Sequence, residues 1–171
     1  MNNPMRVILS VAMMVALSAC KTRGDEKPVE PTPEPTPSRT RPRPVDDGKY
    51  DQGDLDSDSC LRQRVVYFDF DKAEIRAEAQ AILACHGKYL TDRPSAAMTL
   101  EGHADERGSR EYNLGLGERR GNAVSSALQA NGGSASQLNV VSYGEERPTC
   151  ADSSEDCWGK NRRVEIVYTA K

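Results

Sequence analysis

The residues best placed to do chemistry lie in one stretch, Glu101–Leu128, where a glycine-flanked loop leads into a helix. A helix over about Tyr112–Ala130 puts Arg120 on the same apolar stripe as Leu116 and Val124, because the three residues recur at four-residue spacing. A guanidinium on a half-buried face needs an anionic partner, since burying an unpaired charge is costly.

Asp105, in the loop before this helix, is one possible partner for Arg120. In that case the two residues form a structural ion pair. The alternative partner is a ligand that carries both charges, whose ammonium would bind Asp105 and whose carboxylate would bind Arg120. On the pattern alone the structural pair is the commoner arrangement, and both interpretations stay open.

Four ordered motifs resemble the OmpA C-terminal family, and more closely its lipid-anchored, peptidoglycan-associated members. They are VYFDFDKAEI at Val66–Ile75, GHADERG with YNLGLGERRGNAV between Gly102 and Val124, VSYGEERP at Val141–Pro148, and NRRVEIVY at Asn161–Tyr168. Together they cover roughly residues 60–171. The family pattern has Ser and Ala where this helix has Gly117 and Gly121, and glycine inside a helix is expected to weaken it.

The resemblance and the apolar periodicity together predict an α+β fold. This is an OmpA-like β-α-β-α-β-β sandwich with the helices packed on one mixed four-stranded sheet. We expect strands at Val65–Phe70, Met98–Gly102, Asn139–Tyr143 and Arg163–Tyr168, helices at Ile75–Leu90 and Tyr112–Ala130, and one helical turn at Ser134–Gln137. Gly144–Asn161 is expected to form a long irregular loop.

The resemblance also implies a ligand, the meso-diaminopimelate of the peptidoglycan stem peptide, whose side chain ends in an ammonium and a carboxylate on one carbon. The implied site consists of Phe70, Asp71, Asp105, Arg107, Leu116 and Arg120. Arg120 would hold the carboxylate, while Asp105 and Asp71 would hold the ammonium. Phe70 and Leu116 would form apolar walls.

Three of these assignments have simpler alternatives. Asp71 ends a predicted strand, where a carboxylate commonly caps the next turn. Arg107 matches a family position near the ligand, but it could equally be solvated. Asn161 and Arg162 either adjoin the site or belong to a basic cluster on the surface.

The implied function is that of an outer-membrane lipoprotein that faces the periplasm and ties the membrane non-covalently to the cell wall. The family resemblance adds a protein partner, TolB, within the Tol–Pal system that serves envelope constriction and cell division. One alternative is a wall-anchoring OmpA-like lipoprotein without a Tol role. A second is a peptidoglycan hydrolase, which is disfavoured because a general acid needs a raised pKa and the candidate acids lie beside arginines.

Other classes are set aside on composition and spacing. The chain has 23 basic and 26 acidic residues and no clustered basic face, which argues against a nucleic-acid partner. His86 and His103 lie at unrelated positions and match no zinc pattern, so we expect neither a metal site nor another cofactor, and no enzymatic activity. A motility stator would need a retained transmembrane helix, whereas the apolar segment here looks cleavable.

The N-terminal region predicts export and lipidation. Arg6 precedes a short apolar run at Val7–Ala16, and Leu17–Cys20 resembles a bacterial lipobox. The predicted domains are therefore a signal peptide over residues 1–19, a linker over residues 20–59 that starts at the lipidated Cys20, and a folded domain over residues 60–171. The linker is rich in proline, and Asp46–Ser59 is acidic and nearly free of apolar residues, so this segment is expected to be disordered.

The other four cysteines allow three pairings, and an exported chain meets an oxidising compartment. Our hypothesis pairs Cys60 with Cys85, because the segment before the first strand can pack against the first helix. It pairs Cys150 with Cys157, because these two bracket a short loop that closes easily.

Overall fold

The computed structural model describes residues 48–171, so the predicted signal peptide, the lipidated Cys20 and the linker up to residue 47 lie outside the described residues. The elements are α1 (Asp54–Ser57), β1 (Val65–Tyr67), α2 (Ala77–Asp92), β2 (Ala97–His103), α3 (Arg110–Ala130), a 3₁₀ turn (Ala135–Gln137), β3 (Leu138–Gly144), α4 (Glu155–Asn161) and β4 (Arg163–Ala170). Within this part of the chain, no helix is both long enough and apolar enough to cross a membrane.

The four strands form one mixed sheet in the order β1-β4-β2-β3. Strand β4 runs antiparallel to both β1 and β2, and β2 runs parallel to β3. Leu83 of α2 and Val124 of α3 share one apolar core with Leu100 of β2 and Ile166 of β4. The predicted α+β class, with helices on a mixed four-stranded sheet, is confirmed.

Three glycines let α3 lie directly against the sheet. A Cβ atom on Gly102 would lie 2.0 Å from the carbonyl oxygen of Gly117, and one on Gly117 would lie 2.4 Å from Ser142 Oγ. A Cβ atom on Gly121 would lie 2.5 Å from Cγ1 of Val140. Gly117 and Gly121, which helix propensity marks as weak points, therefore allow a close contact that larger residues would obstruct.

The folded region begins earlier than the predicted boundary at residue 60. Leu55 in α1 is fully buried, and the Tyr50 ring packs against Tyr89 with the ring centroids 6.3 Å apart. The backbone N–H of Tyr50 also donates to the Asp92 carboxylate at 2.9 Å. The prediction of disorder is therefore wrong over residues 48–59, because two well-spaced apolar side chains are enough to dock a segment whose average composition is polar.

Helix α4 replaces part of the predicted irregular loop over Gly144–Asn161. Ser154 caps its first turn by accepting a hydrogen bond from the backbone N–H of Cys157. Glu155 and Asp156 occupy the first turn, where negative charge favours a helix N-terminus. The prediction is wrong over Glu155–Asn161 because a helix of two turns is too short to show periodicity.

Both predicted disulfides are confirmed. Cys60, which precedes β1, is bonded to Cys85 of α2, and Cys150 is bonded to Cys157 of α4. The first bridge ties the N-terminal segment to a core helix, and the second closes the loop that leads into α4.

The two bridges should contribute unequally to stability. Replacing Cys60 and Cys85 by Ser is expected to lower the free energy of unfolding by about 3 kcal/mol, because the unfolded chain regains a loop with a sequence separation of 25. The same change at Cys150 and Cys157 should cost about 1 kcal/mol less, since that separation is 7. Urea unfolding of the soluble chain (residues 21–171, which lacks the lipidated cysteine) compares the two double variants. A larger loss of unfolding free energy without the Cys150–Cys157 bridge would contradict the prediction.

Candidate binding site

A single pocket of about 240 Å³ brings together every side chain that the resemblance assigns to the ligand. It lies where the turn after β1 and the loop after β2 meet the first turns of α3. The predicted residues that line it are Phe70, Asp71, Asp105, Arg107, Leu116 and Arg120, and the structure adds Gly108, Tyr112 and Asn113. A shared binding role requires that these side chains line one pocket, as they do here.

Arg120 is one of the residues that line this pocket, and it has no exposed surface. Its Nε donates to the carbonyl of Lys72 at 2.8 Å, its Nη1 to that of His103 at 2.8 Å and its Nη2 to that of Asp69 at 3.1 Å. Burial lowers the pKa of Arg120 to about 10, which still leaves the guanidinium charged at neutral pH.

The structural ion pair between Asp105 and Arg120 does not form, so that interpretation is wrong. None of the ion pairs within residues 48–171 involves Arg120. A guanidinium has five N–H donors, and three of those on Arg120 are used by backbone carbonyls. One N–H on each terminal nitrogen is left, which is the set that a carboxylate accepts in a bidentate contact.

Asp105 is held by two other arginines. The Nε of Arg107 donates to Oδ1 at 3.1 Å and its Nη2 to Oδ2 at 2.8 Å, while Nη1 of Arg162 donates to Oδ2 at 3.2 Å. Burial by itself raises the pKa of the Asp105 carboxyl, but the hydrogen bonds from Arg107 and Arg162 outweigh burial and hold that pKa below its usual range. Asp105 is therefore an oriented, fully charged carboxylate at neutral pH.

Arg107 is held between two aromatic rings, and its side chain remains partly solvated, with 31% of its surface exposed. Its guanidinium carbon lies 4.0 Å from the ring centroid of Phe70 on one side and 4.1 Å from that of Trp158 on the other. Such cation–π contacts hold the guanidinium plane while it grips Asp105. Phe70 is about half exposed (53%), so it also forms part of the pocket rim.

Asp71 lies on the side of the pocket facing α3. Its φ of 56° is in the left-handed region, which Asp tolerates better than most residues. Its carboxylate accepts a hydrogen bond from the Tyr112 hydroxyl rather than capping a turn, so the capping alternative is wrong. An incoming ammonium must therefore share Asp71 with Tyr112.

Asn161 and Arg162 are both buried, which rules out the surface basic cluster. Arg162 donates to the Phe68 carbonyl at 3.2 Å as well as to Asp105, so it adjoins the site. The Asn161 side chain accepts from the backbone N–H groups of Thr149 and Cys150 and donates to the Cys150 carbonyl at 2.7 Å. Asn161 thus secures the loop before α4.

Four further residues shape the site without having been predicted. Asn113 donates to the Asp105 carbonyl at 3.1 Å and to the Glu145 carboxylate, and its place in the YNLGLGERR motif was a usable signal. Tyr112 is its neighbour in the same motif. Nothing in the sequence indicated Glu155 and Trp158, because their contacts with the site depend on the fold of α4, a helix that was not predicted from the sequence.

His103, at the end of β2, is buried and sits under the Tyr143 ring at 5.6 Å between centroids. Burial, with a smaller effect from Arg163, lowers the pKa of His103 to about 4. No group of His, Cys, Asp and Glu side chains within residues 48–171 is placed to hold a metal ion.

This histidine should make the fold sensitive to acid. The folded pKa of about 4 lies below the unfolded value of 6.5, so the unfolded chain binds the proton more tightly. Stability is then fully present above about pH 6.5 and falls by about 2–3 kcal/mol as the pH drops toward 4. His103→Gln should flatten that fall in urea unfolding at pH 7.5 and 4.5, and an unchanged pH dependence would contradict the assignment.

Comparison with known proteins identifies the family. Residues 67–162 match the OmpA family model. The peptidoglycan-associated lipoprotein of Haemophilus influenzae is 35% identical over 168 residues, which cover 98% of this chain and all of the relative. That of Pseudomonas aeruginosa is 44% identical over 115 residues, which cover 67% of this chain and 68% of the relative. The crystal structure of the peptidoglycan-associated lipoprotein from Burkholderia pseudomallei superposes with a TM-score of 0.66 at 40% identity, covering 68% of this chain and 98% of that one. The chain therefore belongs to the OmpA family and, within it, to the peptidoglycan-associated lipoproteins.

Proposed function

We propose that the pocket binds the side-chain end of diaminopimelate in a peptidoglycan stem peptide, and that the protein thereby anchors the cell envelope to its wall. The observation that carries this proposal is a buried Arg120 without a protein carboxylate, placed in the same pocket as two carboxylates, Asp71 and Asp105. A zwitterion supplies the anion that Arg120 lacks and the cation that the carboxylates attract.

The depth of the pocket limits which ligands fit. Because Arg120 lines the pocket but has no exposed surface, a ligand would have to bring its carboxylate in at the end of a slender side chain. The side chain of diaminopimelate is an unbranched carbon chain with both charges at its tip. Its methylene groups would lie against Leu116 and Phe70.

The electrostatics favour binding over hydrolysis. A hydrolase needs a carboxyl whose pKa is raised so that it can donate a proton, whereas the arginines hold the pKa of Asp105 below its usual range. Incubation with purified sacculi is therefore expected to release no muropeptides. Release by the wild-type chain that exceeds a no-protein control would favour the hydrolase alternative.

Co-sedimentation with sacculi tests the proposed function. The soluble chain should pellet with sacculi, and Asp105→Asn should weaken binding about tenfold or more, because a charge-assisted contact to the ammonium is lost. Asp56→Asn is the matched control, since it removes the same charge from an exposed side chain that pairs only with Arg64. Equal pelleting of wild type and a natively folded Asp105→Asn chain would overturn the site.

We also propose that the chain is lipid-anchored through Cys20 in the outer membrane, faces the periplasm and binds TolB in the Tol–Pal system. Membership of the family and the lipobox-like Leu17–Cys20 support this. Palmitate labelling should be lost in Cys20→Ser, and pull-down from envelopes should recover TolB. Repeated failure to recover TolB would leave wall anchoring without a Tol role as the better account.

A further inference from the structure

The guanidinium groups that contact Asp105 carry more positive charge than the carboxylate carries negative charge. Asp105 carries one negative charge and is contacted by two guanidinium groups, those of Arg107 and Arg162. These three residues together carry a net charge of +1. A cation approaching the carboxylate would meet this excess positive charge at close range, where Coulomb interactions are weakly screened.

Glu155 is a second carboxylate that contacts both of these guanidinium groups. Its Oε1 accepts from Nη2 of Arg162 at 2.6 Å, and its Oε2 lies 3.5 Å from Nη1 of Arg107. The four side chains then sum to zero, and both guanidinium groups are anchored at two ends. The Glu155 side chain is 63% exposed and does not line the pocket, so it acts on the site through the two arginines.

The disulfide-closed loop holds Glu155 in this place. Trp158, one turn further along α4, covers the Arg107 guanidinium, and its Nε1 donates to the Glu106 carboxylate at 3.0 Å. Ser153 Oγ donates to the same carboxylate at 2.7 Å. The Cys150–Cys157 bond closes the chain across this segment, so α4 is attached to the loop of Asp105 at several points.

We infer that Glu155 is a positioning residue for ammonium recognition, which neutralises and orients the two arginines that hold Asp105. The inference rests on the proposed function and names a part of the site outside the pocket. It assigns a role to the loop over residues 149–159, whose sequence gave no indication of one.

The test measures the binding of two synthetic stem peptides to the soluble chain by calorimetry. One peptide has the free side-chain amine of diaminopimelate, and in the other that amine is acetylated. Glu155→Gln keeps an acceptor for Arg162 but removes the charge, and it should weaken binding of the free-amine peptide about tenfold while changing the acetylated peptide less than about twofold. Glu165→Gln is the matched control, because Glu165 pairs with Arg163 at 2.7 Å and contacts neither arginine of the site.

A second pair of variants tests the loop. Cys150→Ser with Cys157→Ser should also weaken the free-amine peptide selectively, whereas Cys60→Ser with Cys85→Ser should cost stability and leave affinity unchanged. Wild-type affinity in Glu155→Gln, or an equal loss for both peptides, would overturn the inference while leaving the proposed function intact. If the wild-type chain binds neither peptide nor sacculi, the proposed function fails and this inference fails with it.

Discussion

Replacing Arg120 by Met should abolish peptidoglycan binding and should also lower the free energy of unfolding by about 3–5 kcal/mol. The stability loss is expected because three backbone carbonyls, those of Asp69, Lys72 and His103, lose their only side-chain donor. The Asp69 carbonyl also accepts from the Lys72 backbone N–H at 3.3 Å, so the larger cost falls on the other two carbonyls, at about 1–3 kcal/mol for each buried acceptor left without a partner. Met has a similar length and packs well in a core, so the effect reports on the lost donors rather than on a cavity.

Urea unfolding and sacculus binding of the same protein preparation measure both effects, with the binding assay kept well below the unfolding midpoint. Arg119→Met is the matched control, because Arg119 is exposed and its guanidinium lies over the Tyr112 ring at 5.5 Å rather than in the core. It should change stability by less than about 0.5 kcal/mol. Full stability of Arg120→Met would show that the carbonyl contacts contribute little, and retained binding would remove Arg120 from the site.

Gly102→Ala should be the other severely destabilising substitution, at about 3 kcal/mol or more. The added methyl group would lie 2.0 Å from the carbonyl oxygen of Gly117, and backbone cannot rotate away as a side chain can. Helix α3 is also held to β3 by the Ser142 hydroxyl, which donates to the Leu114 carbonyl at 2.6 Å. The methyl group therefore forces α3 off the sheet.

Thermal unfolding followed by circular dichroism compares this variant with Gly115→Ala. Gly115 lies in α3, the helix that Gly102 of β2 packs against, but the nearest atom to its Cβ position is the mobile Nη1 of Arg119 at 3.3 Å. Gly115→Ala should therefore stabilise the protein by about 0.5–1 kcal/mol through better helix propensity. Equal effects of the two substitutions would contradict the close packing of α3 on β2.

Elements with a strong apolar period were predictable from the sequence, and their ends were less so. The helix predicted at Tyr112–Ala130 is α3 at Arg110–Ala130, because its apolar stripe is long and well spaced. The strand predicted to reach Phe70 stops at Tyr67. Beyond it the chain turns, and Arg120 binds the carbonyls of that turn, which is a tertiary contact that no local pattern reveals.

Most of the residues that line the candidate pocket were predictable, but the hydrogen bonds and ion pairs between them were not. The motif resemblance supplied Asp105 and Arg120, and the structure places both in one pocket. Arg120 donates to backbone carbonyls and not to Asp105. Because every residue has a backbone carbonyl, the sequence could not indicate which ones Arg120 would bind. Arg162, near the far end of the chain, contacts Asp105, and Glu155 of α4 contacts Arg162, so these pairings depend on how α4 is folded.

The central claim, that this pocket holds a zwitterion, is tested most directly by a nuclear magnetic resonance titration of the isotope-labelled soluble chain with a diaminopimelate-containing stem peptide. We predict saturable shifts at the backbone amides of Gly108 and Leu116 and at the Arg120 side chain. Amidation of the ligand's side-chain carboxylate should weaken binding about tenfold, because the bidentate contact is lost. Shifts confined to other surfaces, or equal affinity for the amidated peptide, would contradict the account.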